Sequence, residues 1–249
     1  MIIMLITTMV TISTEANVST TNTMSPQSLF GLLRLSSSVL PVGAFSYSEG
    51  LESAVDEHWV HDEQSAQAWI CDSLELGMVR CDWPFVDRLM KAWMQHDLHE
   101  VAHLNQMHLS TRETREIRMQ SLQMGHAMLN WLDNHPIVHA DLRAGLDRSC
   151  TSWIVAFTLA HHEFATPVAL VRLSHAFSWL ENQVQAAMKS VPLGQQSGQR
   201  IVHAVSQFLI EKNQHYELHS PSPEPISFSP GLAILSSRHE HQYSRIFRS

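Results

Sequence analysis

The sequence predicts an all-α fold: a single-domain helical bundle with a flexible N-terminal extension over residues 1–27 and an extended segment near its C-terminus. Three observations lead there. From residue 28 onward apolar residues recur three and four apart, no stretch sustains the alternation of a strand, and no repeat of fixed period breaks the pattern. Residues 28–249 therefore read as one domain. With 249 residues, 44% of them hydrophobic, the chain is long enough to bury a substantial core.

Residues 1–12 are apolar, but they lack a basic leader region and an Ala-x-Ala cleavage site, and they fall short of the roughly 20 apolar residues of a membrane span. An unstructured extension with no membrane role is the expectation. Residues 40–52 read Leu-Pro-Val-Gly-Ala-Phe-Ser-Tyr-Ser-Glu-Gly-Leu-Glu, a stretch in which turn chemistry runs into a helix start. Pro41 fixes φ, Gly43 opens backbone conformations closed to other residues, and Ser46 with Glu49 matches a Ser-x-x-Glu capping box. A turn at Gly43 and a helix from Ser46 follow. Gly50 would lie in its first turns, costing about 1 kcal/mol of propensity while allowing a close backbone approach.

Leu51, Ala54 and Val55 share a face of that helix, and Ala66, Trp69, Ile70, Leu74, Gly77 and Met78 make a second stripe. Val86, Leu89, Met90 and Trp93 make a third, opened by Pro84 in a first helical turn, with Trp69 and Trp93 as core anchors. A longer helix is expected over residues 112–132, with Ile117, Ser121, Gly125, Met128 and Leu132 on one side and Asn134, His135 and Pro136 ending it. The segment 153–160 carries no charge, so a helix buried on several sides is expected, near the centre of the bundle. Leu170, Leu173, Phe177, Leu180, Val184 and Ala187 form a seam that serves either the interior or a second copy. The next helix, after Gly198, carries Ile201, Val205, Phe208 and Leu209 and fades at residues 212–214. Pro221, Pro223, Pro225 and Pro230 then impose an extended connection before a short helix over residues 232–238.

A net charge of −8 with 16 scattered Lys and Arg argues against nucleic-acid binding. Cys71, Cys81 and Cys150 form neither a disulfide framework nor a Cys-x-x-Cys pair, which fits a reducing cytoplasm. Ser48-Glu49-Gly50 is half of a nucleophile elbow, but Ser46 stands where Gly is required and no strand precedes it, which fails the hydrolase reading on context. Residues 194–198 have neither the spacing nor the lysine of a phosphate loop, so no nucleotide binding by this chain is expected. His96, His99 and His103, at i, i+3 and i+7, would share one helix face, either as a solvated polar surface or as a weak metal site. His161-His162-Glu163 and His239-Glu240-His241 are smaller groups. Tyr243, Arg245, Phe247 and Arg248 give the terminus the residue types that carry interface energy, against the ordinary fraying of a chain end.

Residues 41–52, residues 189–199 (Lys-Ser-Val-Pro-Leu-Gly-Gln-Gln-Ser-Gly-Gln) and residues 243–249 (Tyr-Ser-Arg-Ile-Phe-Arg-Ser) together resemble the urease accessory protein UreF family. The resemblance spans roughly residues 28–249. It implies an all-helical dimer without a catalytic site of its own, acting with UreD (also called UreH) and the GTPase UreG to assemble the nickel centre of apo-urease. On that reading no cofactor is bound directly, and nickel and GTP act through the partners. Coupling requires different contacts in two states of the GTPase rather than a reacting side chain here. A histidine-based nickel carrier is the alternative.

The resemblance also places partner contacts on Pro41, Gly43, Phe45, Tyr47 and Glu49, on Lys189 and Gln199, and on the four terminal residues named above. Lys189 and Arg245 match family positions linked to docking or assembly. Phe45 stands where relatives have Tyr, Glu49 where many have Gln, and Ile246 where Leu is more usual. UreG is expected across the surface of residues 41–52 and 189–199. Residues 244–249 are expected to be disordered alone and to order on UreD.

Overall fold

The computed structural model describes residues 24–135, 139–219 and 223–249. Helix α1 (Pro26–Leu35) starts where Ser25 accepts the Ser28 N–H and Pro26 fills a first-turn position that needs no donor. Residues 24–27 thus belong to the folded body, and the rest of the expected N-terminal extension lies outside the described residues.

The segment after α1 departs from its reading. The chain turns at Gly43, passes through a short 3-10 turn (Ala44–Ser46), and starts helix α2 (Leu51–Asp56) five residues later than the capping box implied. The box does not form because the backbone around it has other partners. The Ser46 carbonyl accepts the Arg248 N–H, and the Ser48 and Glu49 N–H groups both donate to the Ser249 carbonyl. Gly50 precedes the helix, at φ +82°, and a Cβ there would stand 2.9 Å from Leu232 Cδ1. The close approach is real, but the contact is a side chain.

Helix α3 (Glu63–Ser73) is opened by a reciprocal Asp62–Ser65 capping box and runs through a π-helical stretch (Leu74–Asp82) into α4 (Trp83–Met94). Pro84 sits in the first turn of α4 as expected, and having no N–H it offers nothing to the Arg80 carbonyl. The Ile226 N–H bonds that oxygen at 2.9 Å. Ile226 belongs to the extended segment that the prolines impose, which is also held by Arg88–Glu224 at 2.8 Å and by Ser227 Oγ donating to the Thr111 carbonyl at 3.2 Å. Pro221 lies outside the described residues.

Helix α5 (Leu98–Ser110) is followed by α6 (Arg115–Asp133), capped by Thr114 and three residues shorter at its start than expected. Pro136 lies outside the described residues. A short α7 (Ala140–Ala144) leads to α8 (Trp153–Glu163), where residues 154–161 are all buried, as the absence of charge implied. Trp93 is fully buried and donates its indole N–H to Thr158 at 2.9 Å, whereas Trp69 only packs at the edge of the core.

Helix α9 (Val168–Ser190) and α10 (Gln195–His219) pack along the seam, whose Leu180, Val184 and Ala187 are buried within this chain. Helix α10 does not fade at residues 212–214. Lys212 pairs with Glu75 at 2.7 Å, Asn213 accepts from the buried Arg172 at 3.1 Å, and Tyr216 packs edge-on against Trp83. Polar side chains that read as a helix end are bonded to neighbouring helices. Helix α11 (Pro230–His239) follows the extended segment and lies against α2 and α6. No strand occurs among the described residues.

Two apolar clusters result, one where α4 and α6 enclose α8, the other where α3, α9 and α10 meet α2. The α6–α8 contact depends on Gly125, where a Cβ would lie 2.3 Å from the Thr151 carbonyl oxygen. Backbone cannot yield as a side chain can, so Gly125→Ala is expected to destabilise the fold by about 2 kcal/mol in urea denaturation. Gly77→Ala, in open space, should be neutral or slightly stabilising.

Candidate functional site

The last residues of the chain thread back into the turn at residues 41–50. Besides the Arg248–Ser46 bond, the Ser249 carbonyl accepts the Ser48 N–H at 2.7 Å, the Glu49 N–H at 3.1 Å and the Ser48 hydroxyl at 2.6 Å. Glu49 takes a left-handed φ of 51° to aim its N–H there. Ser249 Oγ donates to Gln120 of α6 at 2.8 Å. Beneath the segment, Glu52 accepts the Ile246 N–H at 2.7 Å and the Phe247 N–H at 3.0 Å, one on each oxygen.

Most of the residues singled out in the sequence meet here. Phe247 is buried, with the Lys189 ammonium 5.3 Å from its ring centroid, so the 189–199 loop and the terminus touch. Tyr47 is buried and donates to Gln123 at 2.6 Å; burial pushes its hydroxyl pKa up while Arg248 opposes the shift. Arg245 pairs with Glu116 of α6 at 2.9 Å. Burial raises the Glu49 carboxyl, although the Trp179 indole N–H at 2.8 Å and the Gln120 amide both donate to it. Phe45, Tyr243 and Ile246 project outward, 61%, 106% and 63% exposed. Pro41 is also exposed, and Gln199 joins only through Lys189, with which it lines a groove between α9 and α10.

The expectation that residues 244–249 are disordered alone is not what the structure shows, because the segment is seated on its own chain by backbone bonds to Ser46, Ser48 and Glu52. Sequence reasoning also passed over the residues that hold it. Glu52, Glu116 and His239 form a buried set: His239 Nδ1 stands 2.8 Å from Glu116 and Nε2 stands 3.1 Å from Glu52, with the imidazole fully buried. The available signal is Glu52 inside the 41–52 stretch and the His-Glu-His run at residues 239–241.

The other histidine set comes apart. His96 lies in the turn between α4 and α5 at φ 53°, off the helix that carries His99 and His103, and its ring packs against His139. Among the described residues no three His, Cys, Asp or Glu side chains converge to hold a metal ion. Ser48 donates its hydroxyl to a carbonyl, an arrangement without the adjacent base that activates a nucleophile.

Beside the turn, a cavity of about 80 Å³ is lined by Tyr47, Glu49, Asp82, His108, Arg112 and His175 among others. Asp82 and Arg112 pair at 2.8 Å within it. Burial works against the Asp82 charge, but Arg112 and His108 outweigh it and hold the carboxyl well below its usual range. Burial, helped by Arg112, lowers His108 to about 4, and burial lowers His161 of α8 to about 3.

Fold and site define a class: an all-helical protein whose surface is completed by its own last residues, bound back over a set of buried charges. A model of the UreF family matches residues 60–206. The chain is 44% identical over 222 residues to the urease accessory protein UreF of Polaromonas sp., covering 89% of this chain and 95% of that one. It is 46% identical over 225 residues to that of Methylibium petroleiphilum, covering 89% and 94%, and 42% identical over 232 residues to that of Azoarcus sp., covering 89% and 95%. The chain belongs to the UreF family of urease accessory proteins.

Two outcomes follow from the geometry. Glu52→Ala strands two amide donors and the His239 ring, and is expected to cost about 3 kcal/mol in a urea melt; a change below about 0.5 kcal/mol would contradict the placement. His108 and His161 stay neutral in the fold while the unfolded imidazole, with an ordinary value of 6.5, takes up a proton first. Stability is therefore full above about pH 6.5 and falls as pH drops toward about 4. A melting temperature that is flat across that window would contradict it.

Proposed function

We propose that this chain is a non-catalytic scaffold for urease maturation, joining UreD (UreH), which faces apo-urease, to the GTPase UreG so that nickel is inserted into the enzyme. Family membership supports a urease accessory role. The observation that carries the finer reading is the meeting of three separate segments: the terminal backbone is bonded to Glu52 and to the turn at residues 46–49, Lys189 lies against Phe247, and Phe45, Tyr243 and Ile246 stay exposed on the turn and the terminal segment. Exposed aromatic and aliphatic side chains on a held backbone lose little freedom on binding, which favours docking.

In this scheme the terminal segment and its rim contact UreD, and the turn at residues 41–52 with Lys189 and Gln199 contacts UreG. A homodimer and a cytoplasmic setting belong to the same proposal; no helix among the described residues is long and apolar enough to cross a membrane. Nickel and GTP act through the partners. The histidine-based nickel carrier has less support, since His96 stands apart from His99 and His103.

The test is co-purification with UreD and UreG, wild type against a chain truncated after His241, with urease activation read in the same extract. The expected result is joint loss of complex and activation. A truncated chain that assembles and activates normally would remove the terminal segment from the function.

A further inference from the structure

Helix α1 is held so that it cannot roll. Its inner face carries Ser28, Gly31 and Leu35, all buried, and at Gly31 a Cβ would stand 2.2 Å from Phe164 Cγ at the end of α8. Just past its last turn, the Ser36 hydroxyl lies 2.7 Å from that of Ser174 on α9. Rotation about the helix axis would drive a neighbouring side chain into the Phe164 ring, so the exposure of the outer face is fixed. That face is apolar. Leu29, Phe30 and Leu33 are 42%, 65% and 55% exposed, and at the helical spacing they form a stripe about 100° wide. Stripes of that kind face a partner surface; on α6 and α11, by contrast, Met119 and Ile234 are exposed singly.

The sequence supplies a matching surface on a short tether. Residues 2–12 read Ile-Ile-Met-Leu-Ile-Thr-Thr-Met-Val-Thr-Ile, and no charged side chain precedes Glu15. Residues 1–23 lie outside the described residues, and the chain enters the folded body at Met24, directly before α1. The intervening residues 13–23 are mostly Ser, Thr and Asn, the composition of a linker. A flexible linker of that length spans about 18 Å, and α1 is about 15 Å long, so the apolar segment reaches the whole stripe. Tethering holds it at an effective concentration of about 1 mM. A second copy of the chain at about 10 µM is about a hundredfold more dilute and competes poorly for the same face.

We propose that residues 2–12 fold back on their own chain and cover the outer face of α1, over Leu29, Phe30 and Leu33. Each surface removes the other from water, which is the driving force, and the linker supplies the proximity. A partner that used this face of α1 would first have to displace the segment. The inference is independent of the docking role of the terminal residues, since it concerns a contact within the isolated chain.

The experiment uses the full chain with a photoreactive residue, Phe30→benzoylphenylalanine, at a position exposed enough to accept it. Equal amounts of ¹⁵N-labelled and unlabelled chains are mixed at about 10 µM and irradiated, then cut after glutamate, which separates residues 1–15 from residues 16–49. The expected product joins these two peptides, both with the same isotope, in excess over mixed-isotope pairs by about a hundredfold. The double variant Leu5→Asp with Ile6→Asp, outside the described body, should lower that product at least about tenfold, because a charge is costly on a buried apolar face. Mixed-isotope pairs as abundant as same-isotope ones would give the face to a second copy and overturn the proposal. So would the absence of an adduct within residues 1–15, or an adduct that the double variant leaves undiminished.

Discussion

The structure turns on one buried carboxylate. Glu52 sits on the first turn of α2 with its side chain 7% exposed, and takes two backbone N–H groups from the far end of the chain and a ring nitrogen from α11. A carboxylate in that position is tolerable only when its lone pairs are filled and its charge is matched. The terminal segment is the larger part of what fills them. Burying Glu52 and seating the terminus are therefore one event, and the unusual entry to α2 follows from it: the N–H groups of Ser48 and Glu49 bind Ser249 where a standard helix start would have turned them inward.

The same rule governs the other interior charges. Asp82 is matched by Arg112, while Arg172 is matched by Asp87 and Glu217 and lies 4.9 Å from the Tyr216 ring centroid. Each set ties together elements distant in sequence: the π-helical stretch to the α5–α6 turn in one case, α4, α9 and α10 in the other. Removing one partner leaves a buried charge uncompensated, which is why these pairs act as cross-braces even where their formation adds little net stability. The helices supply apolar area, and the charge sets fix how they register.

The helices were legible because burial imposes a period on sequence, and α8, with residues 154–161 buried, was legible from its lack of charge. What escaped were features decided by partners distant along the chain. Ser46 and Glu49 satisfy a local capping rule, but the terminus competes for the same backbone and wins. Residues 212–214 look like a helix end until Glu75 and Arg172 are seen beside them. The continuous run from α3 to α4 was hidden because a π-helical stretch leaves no periodic mark as short as this one. Of the site, Lys189, Tyr47, Arg245 and Phe247 were found through three stretches of family resemblance. Glu116 and Gln120 were not, since nothing local distinguishes them from the other polar residues of α6.

The contact that brings the 189–199 stretch against the terminal segment is the one between Lys189 and Phe247, with the ammonium 5.3 Å from the ring centroid. Nuclear Overhauser contacts between the Lys189 side-chain methylene protons and the Phe247 ring, recorded on the isolated chain with both residues selectively labelled, test it most directly. The expected result is a clear set of cross-peaks, with ring shifts displaced from those of a free peptide. Free-peptide shifts for Phe247 and no cross-peak to Lys189 would contradict a terminus that is part of the fold.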